Sequence, residues 1–132
     1  MSTAIYAALA GLFLVFLSMR VINLRRDGKI AFGDGGEARL ARAIRVQANF
    51  IEYAPLTLLL LMLVEMQGAP IWAIHVLGTA FIASRAAHFW GFRSPEAPGL
   101  YRAGGMAGTF TVLLALAGIA LFQRVYFYLF GP

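Results

Sequence analysis

The sequence predicts an all-α integral membrane protein, one domain over residues 1–132 built as an up-down-up-down bundle of four transmembrane helices. Three observations predict it. The chain is 61% hydrophobic and 13% charged, with a mean hydropathy of +0.75. A soluble domain averages ~25% charged residues and ~45–50% apolar ones. So small a domain keeps much of its surface exposed, and lipid is the solvent that can cover the apolar excess. Four long apolar stretches then follow one another, on the scale of the ~20 residues a bilayer-spanning helix needs. The charge, finally, gathers at alternate connections.

The first helix is expected over about 4–26. Its apolar run from Ala4 to Leu24 is interrupted only by Arg20 and Asn23. It opens without a basic segment and offers no cleavage pattern before Arg20, which predicts a retained helix and not a signal peptide. The second is expected over about 38–67. Its apolar core, Ala54–Val64, is too short to span, so the helix must extend back through Arg45, Asn49 and Glu52. The third, over about 70–92, is apolar from Pro70 to Ala83 and continues into Arg85 and His88. The fourth, over about 100–128, contains the uncharged stretch Ala103–Phe122. No period-2 alternation persists anywhere, and the apolar runs are too long for strands.

The connections carry turn formers. Asp27–Glu37 holds four glycines, Glu65–Pro70 contains Gly68 and Pro70, and Arg93–Gly99 contains two prolines and a glycine. Loop one and its flanks carry Arg20, Arg25, Arg26, Lys29, Arg39, Arg42 and Arg45; loop three and its flanks carry Arg85, Arg93 and Arg102. Loop two has only Glu65, and Arg124 is the one basic residue near the C-terminus. The positive-inside rule therefore predicts cytoplasmic loops one and three, with both termini on the opposite side. The net charge of +5 does not point to nucleic acid, because the basic residues alternate with hydrophobic runs instead of covering a polar surface. With no cysteine present, any thiol chemistry needs a thiol supplied by the substrate.

At 3.6 residues per turn, Arg45, Asn49, Glu52 and Tyr53 share one face of the second helix as it enters the membrane. A carboxylate there is costly and by default functional. The competing reading is that Glu52 pairs with Arg45 or another arginine to hold helices together. Arg85, His88 and Phe92 share a face at the end of the third helix. No second His or Cys stands at metal-ligand spacing, and His75 lies toward the opposite membrane face, so no metal site is expected. Trp90 and Tyr126–Tyr128 read as interfacial aromatics, and Arg26 and Lys29 as cations reaching the headgroups. Arg45, Arg85 and Arg102 sit where polar helix faces converge. Several guanidinium groups with one carboxylate, an amide and a phenol suit a small ligand bearing carboxylates and an ammonium group. A second, apolar substrate could enter from the lipid. The glycines and threonines of the fourth helix (Gly104, Gly105, Gly108, Thr109, Thr111 and Gly118) read as close helix packing and not as a channel lining.

The run Arg45-x-Gln47-x-Asn49-x-x-Glu52-Tyr53-x-Pro55 resembles the signature of the membrane-associated proteins in eicosanoid and glutathione metabolism. That family includes microsomal glutathione transferases, leukotriene-C synthase and microsomal prostaglandin E synthase. Arg85-x-x-His88-x-x-x-Phe92 resembles the end of the third helix in the prostaglandin synthase branch, and Arg25-Arg26 a basic pair in the leukotriene-C synthase. The resemblance covers essentially the whole chain. It implies a homotrimer with glutathione, the co-substrate, held between neighbouring subunits. It implies that Arg45, Asn49, Glu52 and Tyr53 bind glutathione together with Gln47, Arg25 and His88, and Arg85 and Phe92 join this set from the shared face of the third helix. Arg102 would stabilise the glutathione thiolate as the catalytic residue. Two departures from the family pattern, Phe92 where Tyr is common and Ala103 where the prostaglandin synthase branch has Ser, argue against prostaglandin isomerase activity. The expected function is that of a membrane-bound glutathione transferase or peroxidase acting on lipophilic electrophiles. The rival is a non-catalytic lipid-binding protein of the same fold. The short N-terminus without a retention signal points to a bacterial inner membrane.

Overall fold

The computed structural model describes residues 1–131. They form four helices in the order α1 (Thr3–Asp27), α2 (Ala38–Met66), α3 (Ile71–Trp90) and α4 (Gly99–Phe130), and no strand occurs among the described residues. Three of the helices, α1, α2 and α4, are long and apolar enough to cross a membrane. The third falls short in composition and not in length. Its 20 residues extend ~30 Å, the thickness of a bilayer core, but His75, Arg85 and His88 lower its hydropathy. Arg85 and His88 are turned into the bundle, where their polarity does not meet lipid.

The helices alternate in direction. The backbone N–H groups of Ser2 and Thr3, at the start of α1, donate to the carboxylate of Glu65 at the end of α2 (Thr3 at 2.9 Å). The Tyr6 hydroxyl lies 2.9 Å from His75 Nδ1 near the start of α3. Gln123, late in α4, reaches the Gln67 carbonyl at 3.5 Å. The start of α1, loop two and the last turns of α4 therefore share one end of the bundle. Loops one and three share the other, where the Arg20 guanidinium lies 5.1 Å from the Phe89 ring centre.

The core runs the length of the bundle through Leu17, Phe50, Ala54, Leu61, Val64, Ile74, Phe81, Val112 and Leu116. The outer faces are apolar as well, with Leu12, Val15, Leu56, Leu59, Val76, Leu114 and Leu121 exposed. A helix apolar all round belongs in lipid. Pro55 lies inside α2 and cannot donate to the Ile51 carbonyl; such breaks are tolerated in membrane helices, where neighbouring groups meet the freed carbonyl. Loop one turns through Gly35 and Gly36 at φ +59° and +77°, a region L side chains rarely adopt. Ile30, Val21, Leu40 and Ala43 pack beneath it as a small second core.

α3 and α4 approach most closely around Gly105. A Cβ there would stand 2.5 Å from the His88 backbone nitrogen and 2.6 Å from the Ser84 carbonyl oxygen, so only hydrogen fits. Gly108 also faces Ser84, whereas a Cβ at Gly104 or Gly118 would meet no atom within 4 Å. Close packing therefore accounts for only part of the glycine pattern in α4.

Candidate functional site

The polar residues collect toward the loop-one and loop-three end, in three groups. The innermost joins α2, α3 and α4. Arg85 is only 2% exposed. Its Nη2 donates to Asn49 Oδ1 at 2.8 Å and its Nη1 to Thr109 Oγ1 at 3.4 Å, with the Met106 sulfur at 4.0 Å. Thr109 passes its own proton to the Gly105 carbonyl at 2.8 Å. All these partners are neutral, and among the described residues no carboxylate lies within ion-pair distance of Arg85. The Arg85 side chain also leaves Nε without a partner there.

The second group is the end of α3 and the start of α4. α3 stops at Trp90, so Phe92 lies beyond it and not on its continuing face. Phe92 still meets His88, with ring centres 5.0 Å apart, because the chain turns back through the capping residue Gly91. Gly91 is needed there, since a Cβ would come within 2.7 Å of the Arg102 backbone nitrogen. The Arg102 guanidinium also sits 5.3 Å from the Phe92 ring centre. His88 is buried, and its Nδ1 has no hydrogen-bond partner among the described residues. Arg85 stands three residues before His88, on the same face of α3. Of the arginines expected to converge, Arg85 lies in the buried group and Arg102 against the Phe92 ring, while Arg45 stands at the rim.

The third group is the rim. Arg45 and Glu52 pair at 3.6 Å on one face of α2, with their side chains 63% and 46% exposed. Seven residues apart, about two turns on one helix face, they realise the pairing weighed as the competing reading for Glu52. Tyr53 packs edge-on against Phe110 of α4, ring centres 5.3 Å apart. Phe110 is itself exposed.

Gln47 and Arg25 lie elsewhere. Gln47 donates to Ser18 Oγ of α1 at 2.8 Å. Two residues on a helix are turned by about 200°, so Gln47 faces α1 while Asn49 faces α3. Arg25, near the end of α1, donates to the Ala31 carbonyl at 3.4 Å. It lines an open cavity of about 380 Å³ together with Gly33, Asp34, Ala41, Arg45 and Ala48. A single chain therefore divides the expected residues into two half-sites, one between α1 and α2 and one among α2, α3 and α4. Arg45 borders both, lining the first cavity and pairing with Glu52 at the rim of the second.

Sequence reasoning missed Thr109 and Ser18 as partners. Thr109 stands four residues after Gly105, a spacing that puts both on one helix face, but nothing in that spacing says that the face meets an arginine.

Comparison with known proteins agrees with the architecture. The sequence model of the MAPEG family matches residues 3–122. Inner membrane protein YecN of Escherichia coli K12 is 37% identical over 116 residues, 88% of this chain and 87% of that protein. The protein of the same name in Escherichia coli O6:H1 is similar to the same extent.

Proposed function

Since the chain belongs to the MAPEG family, we propose that it is a membrane-bound glutathione transferase that activates the glutathione thiol for attack on lipophilic electrophiles. The observation that carries the reading is the cluster around His88. Arg85 lies buried within it, Arg102 borders it at the Phe92 ring, and Arg45 stands at its rim paired with the Glu52 carboxylate. Two buried polar atoms there, Arg85 Nε and His88 Nδ1, have no partner among the described residues. A ligand with two carboxylates, an ammonium group and a thiol answers that charge pattern.

In this reading Arg45 and Arg25 bind the ligand carboxylates by bidentate hydrogen bonds. Glu52 takes the ammonium group, breaking its pair with Arg45. That exchange is inexpensive, because an ion pair this exposed contributes about 0–1 kcal/mol. Asn49, Gln47, Tyr53, His88 and the Phe92 ring complete the cradle. Arg102 stands by the thiol. A free thiol has a pKa of ~8.5, and an adjacent cation lowers it, enlarging the thiolate fraction at neutral pH. The thiolate sulfur then attacks the electrophilic carbon. A C–S bond forms, and the electron pair leaves with the departing group or is protonated by water. The half-buried Tyr53 and the exposed Phe110 offer an apolar approach from the lipid. With a hydroperoxide instead, two glutathiones yield the disulfide, an alcohol and water.

The two half-sites support a shared site: the α1–α2 half of one subunit would complete the α2–α3–α4 half of its neighbour, which is the homotrimer reading. The relative's description as an inner membrane protein supports the same location here; in this reading all four helices span, and the gathering of arginines at loops one and three puts these loops in the cytoplasm.

A second reading, a non-catalytic lipid-binding protein, draws on the Arg45–Glu52 and Arg85–Asn49 contacts, which already satisfy these groups within one chain. Two measurements on detergent-solubilised protein separate them. Calorimetry with glutathione reports binding, and ultraviolet thiolate absorbance with a general electrophile reports activation. Binding with a thiolate signal that Arg102→Ala abolishes supports the transferase. Absence of binding favours the lipid-binding protein.

A further inference from the structure

The opposite end of the bundle carries a feature that the glutathione reading does not use. α4 has 32 residues, a length of ~48 Å against a bilayer core of ~30 Å. Its uncharged stretch ends at Phe122, so Gln123 and Arg124 emerge at the headgroup level on the loop-two side. There they border an open cavity of about 430 Å³, lined also by Met66, Gln67, Gly68 and Phe127.

Two groups in it are unanswered. Arg124 is the single basic residue at this end of the chain. The acidic residue at the same end, Glu65, has its carboxylate occupied by the backbone N–H groups of Ser2 and Thr3, and Arg124 forms no ion pair among the described residues. The side-chain oxygen of Gln123 is buried and accepts no hydrogen bond among the described residues. Its orientation is set by the 3.5 Å contact of Nε2 with the Gln67 carbonyl, since the flipped amide would bring two oxygens together. One cation thus lines the cavity beside a buried acceptor in need of a donor, with Met66 and Phe127 as apolar walls and the exposed Leu121 and Phe122 just before them on the helix.

We propose that this cavity is a phospholipid-headgroup site. Arg124 binds the phosphodiester oxygens, and Gln123 Oε1 accepts a hydrogen bond from a donor further along the headgroup, the ammonium of ethanolamine or a hydroxyl of glycerol. The acyl chains run down the outer surface of α4 past Phe122. Choline, whose nitrogen carries only methyl groups, satisfies Arg124 but leaves Gln123 unanswered. A snorkelling arginine without a site would not tell these headgroups apart.

The test is native mass spectrometry of the full chain released from detergent after equilibration with phosphatidylethanolamine, phosphatidylglycerol or phosphatidylcholine. The expected result is retention of the first two lipids at least about tenfold above the third, the scale of a buried hydrogen bond to a charged group. Arg124→Gln lowers retention of all three, and Gln123→Leu removes only the preference over phosphatidylcholine. Arg26→Gln, at the other end, leaves both unchanged and serves as the control. Arg124 is exposed, so its variant keeps the fold even if Gln123→Leu does not. Equal retention of all three lipids, or retention indifferent to Arg124→Gln, overturns the proposal. Displacement of the lipid by millimolar inorganic phosphate also overturns it, since the site would then read a free anion.

Discussion

Arg85 Nη2 and Asn49 Oδ1 meet at 2.8 Å in the interior of the bundle, and this hydrogen bond ties α3 to α2. Arg85 is 2% exposed and has no carboxylate partner among the described residues. A buried guanidinium tolerates loss of a partner poorly, because the remaining charge stays desolvated. Asn49→Ala should therefore destabilise the protein by about 1.5–3 kcal/mol, the range for a hydrogen bond to a charged group. Combining Asn49→Leu with Arg85→Met should cost less than the two single changes added together, with a coupling of about 0.5–3 kcal/mol. Chemical unfolding in detergent micelles measures all the arms of this cycle, and strict additivity would contradict the coupling.

The close approach of α3 and α4 rests on Gly105. A Cβ at this position meets backbone atoms of Ser84 and His88, which cannot rotate away as a side chain would. Gly105→Ala should push the two helices apart and cost about 1–3 kcal/mol. Gly104→Ala, one residue earlier, meets nothing and should be neutral or stabilising by up to about 1 kcal/mol from helix propensity. Melting temperatures of the two variants should move in opposite directions, or only the first should move.

Glu65 acts as a cap supplied from another helix. α1 has no side-chain cap of its own, and the Glu65 carboxylate accepts from the Ser2 and Thr3 N–H groups instead. A negative group at a helix N-terminus also meets the positive end of the helix dipole. Glu65→Ala should cost about 0.5–2 kcal/mol. Hydrogen exchange should show the loss locally, as faster exchange in the first turn of α1 with the loop-one end unchanged.

The Arg45–Glu52 pair is exposed, so it should matter to the ligand and not to the fold. Glu52→Gln should leave the unfolding midpoint nearly unchanged, within the ~0–1 kcal/mol of a surface pair. Glutathione affinity should fall about tenfold or more, since removing one partner of a charge-assisted hydrogen bond costs about 1.5–3 kcal/mol. Calorimetric binding beside a thermal melt of the same sample checks both halves.

The pH dependence of conjugation should report Arg102. A cation favours the thiolate over the thiol, so the thiol in the complex ionises below its free value of ~8.5. Activity should rise with pH through that lowered value and level off above it. Arg102→Gln should carry the rise back toward the free thiol value, so the variant loses most at neutral pH and least at high pH. A uniform loss at every pH would assign Arg102 to binding instead of thiolate activation.

The sequence alone determined the helical architecture, the division of charge between the two ends and the polar face of α2. These are local properties: apolar length, the chemistry of turn residues and a turn of about 100° per residue are all written along one chain. The Arg45–Glu52 pair was legible for the same reason, since both residues lie on one helix. The tertiary structure decided which faces meet. That Asn49 receives Arg85 while Gln47 turns away to Ser18, that Gly105 and not Gly104 touches α3, and that Phe92 meets both His88 and Arg102 from beyond the helix end depend on the rotation and axial shift of one helix against another. Spacing within a helix places a residue on a face. Only the packing of side chains across the bundle sets what that face is opposite.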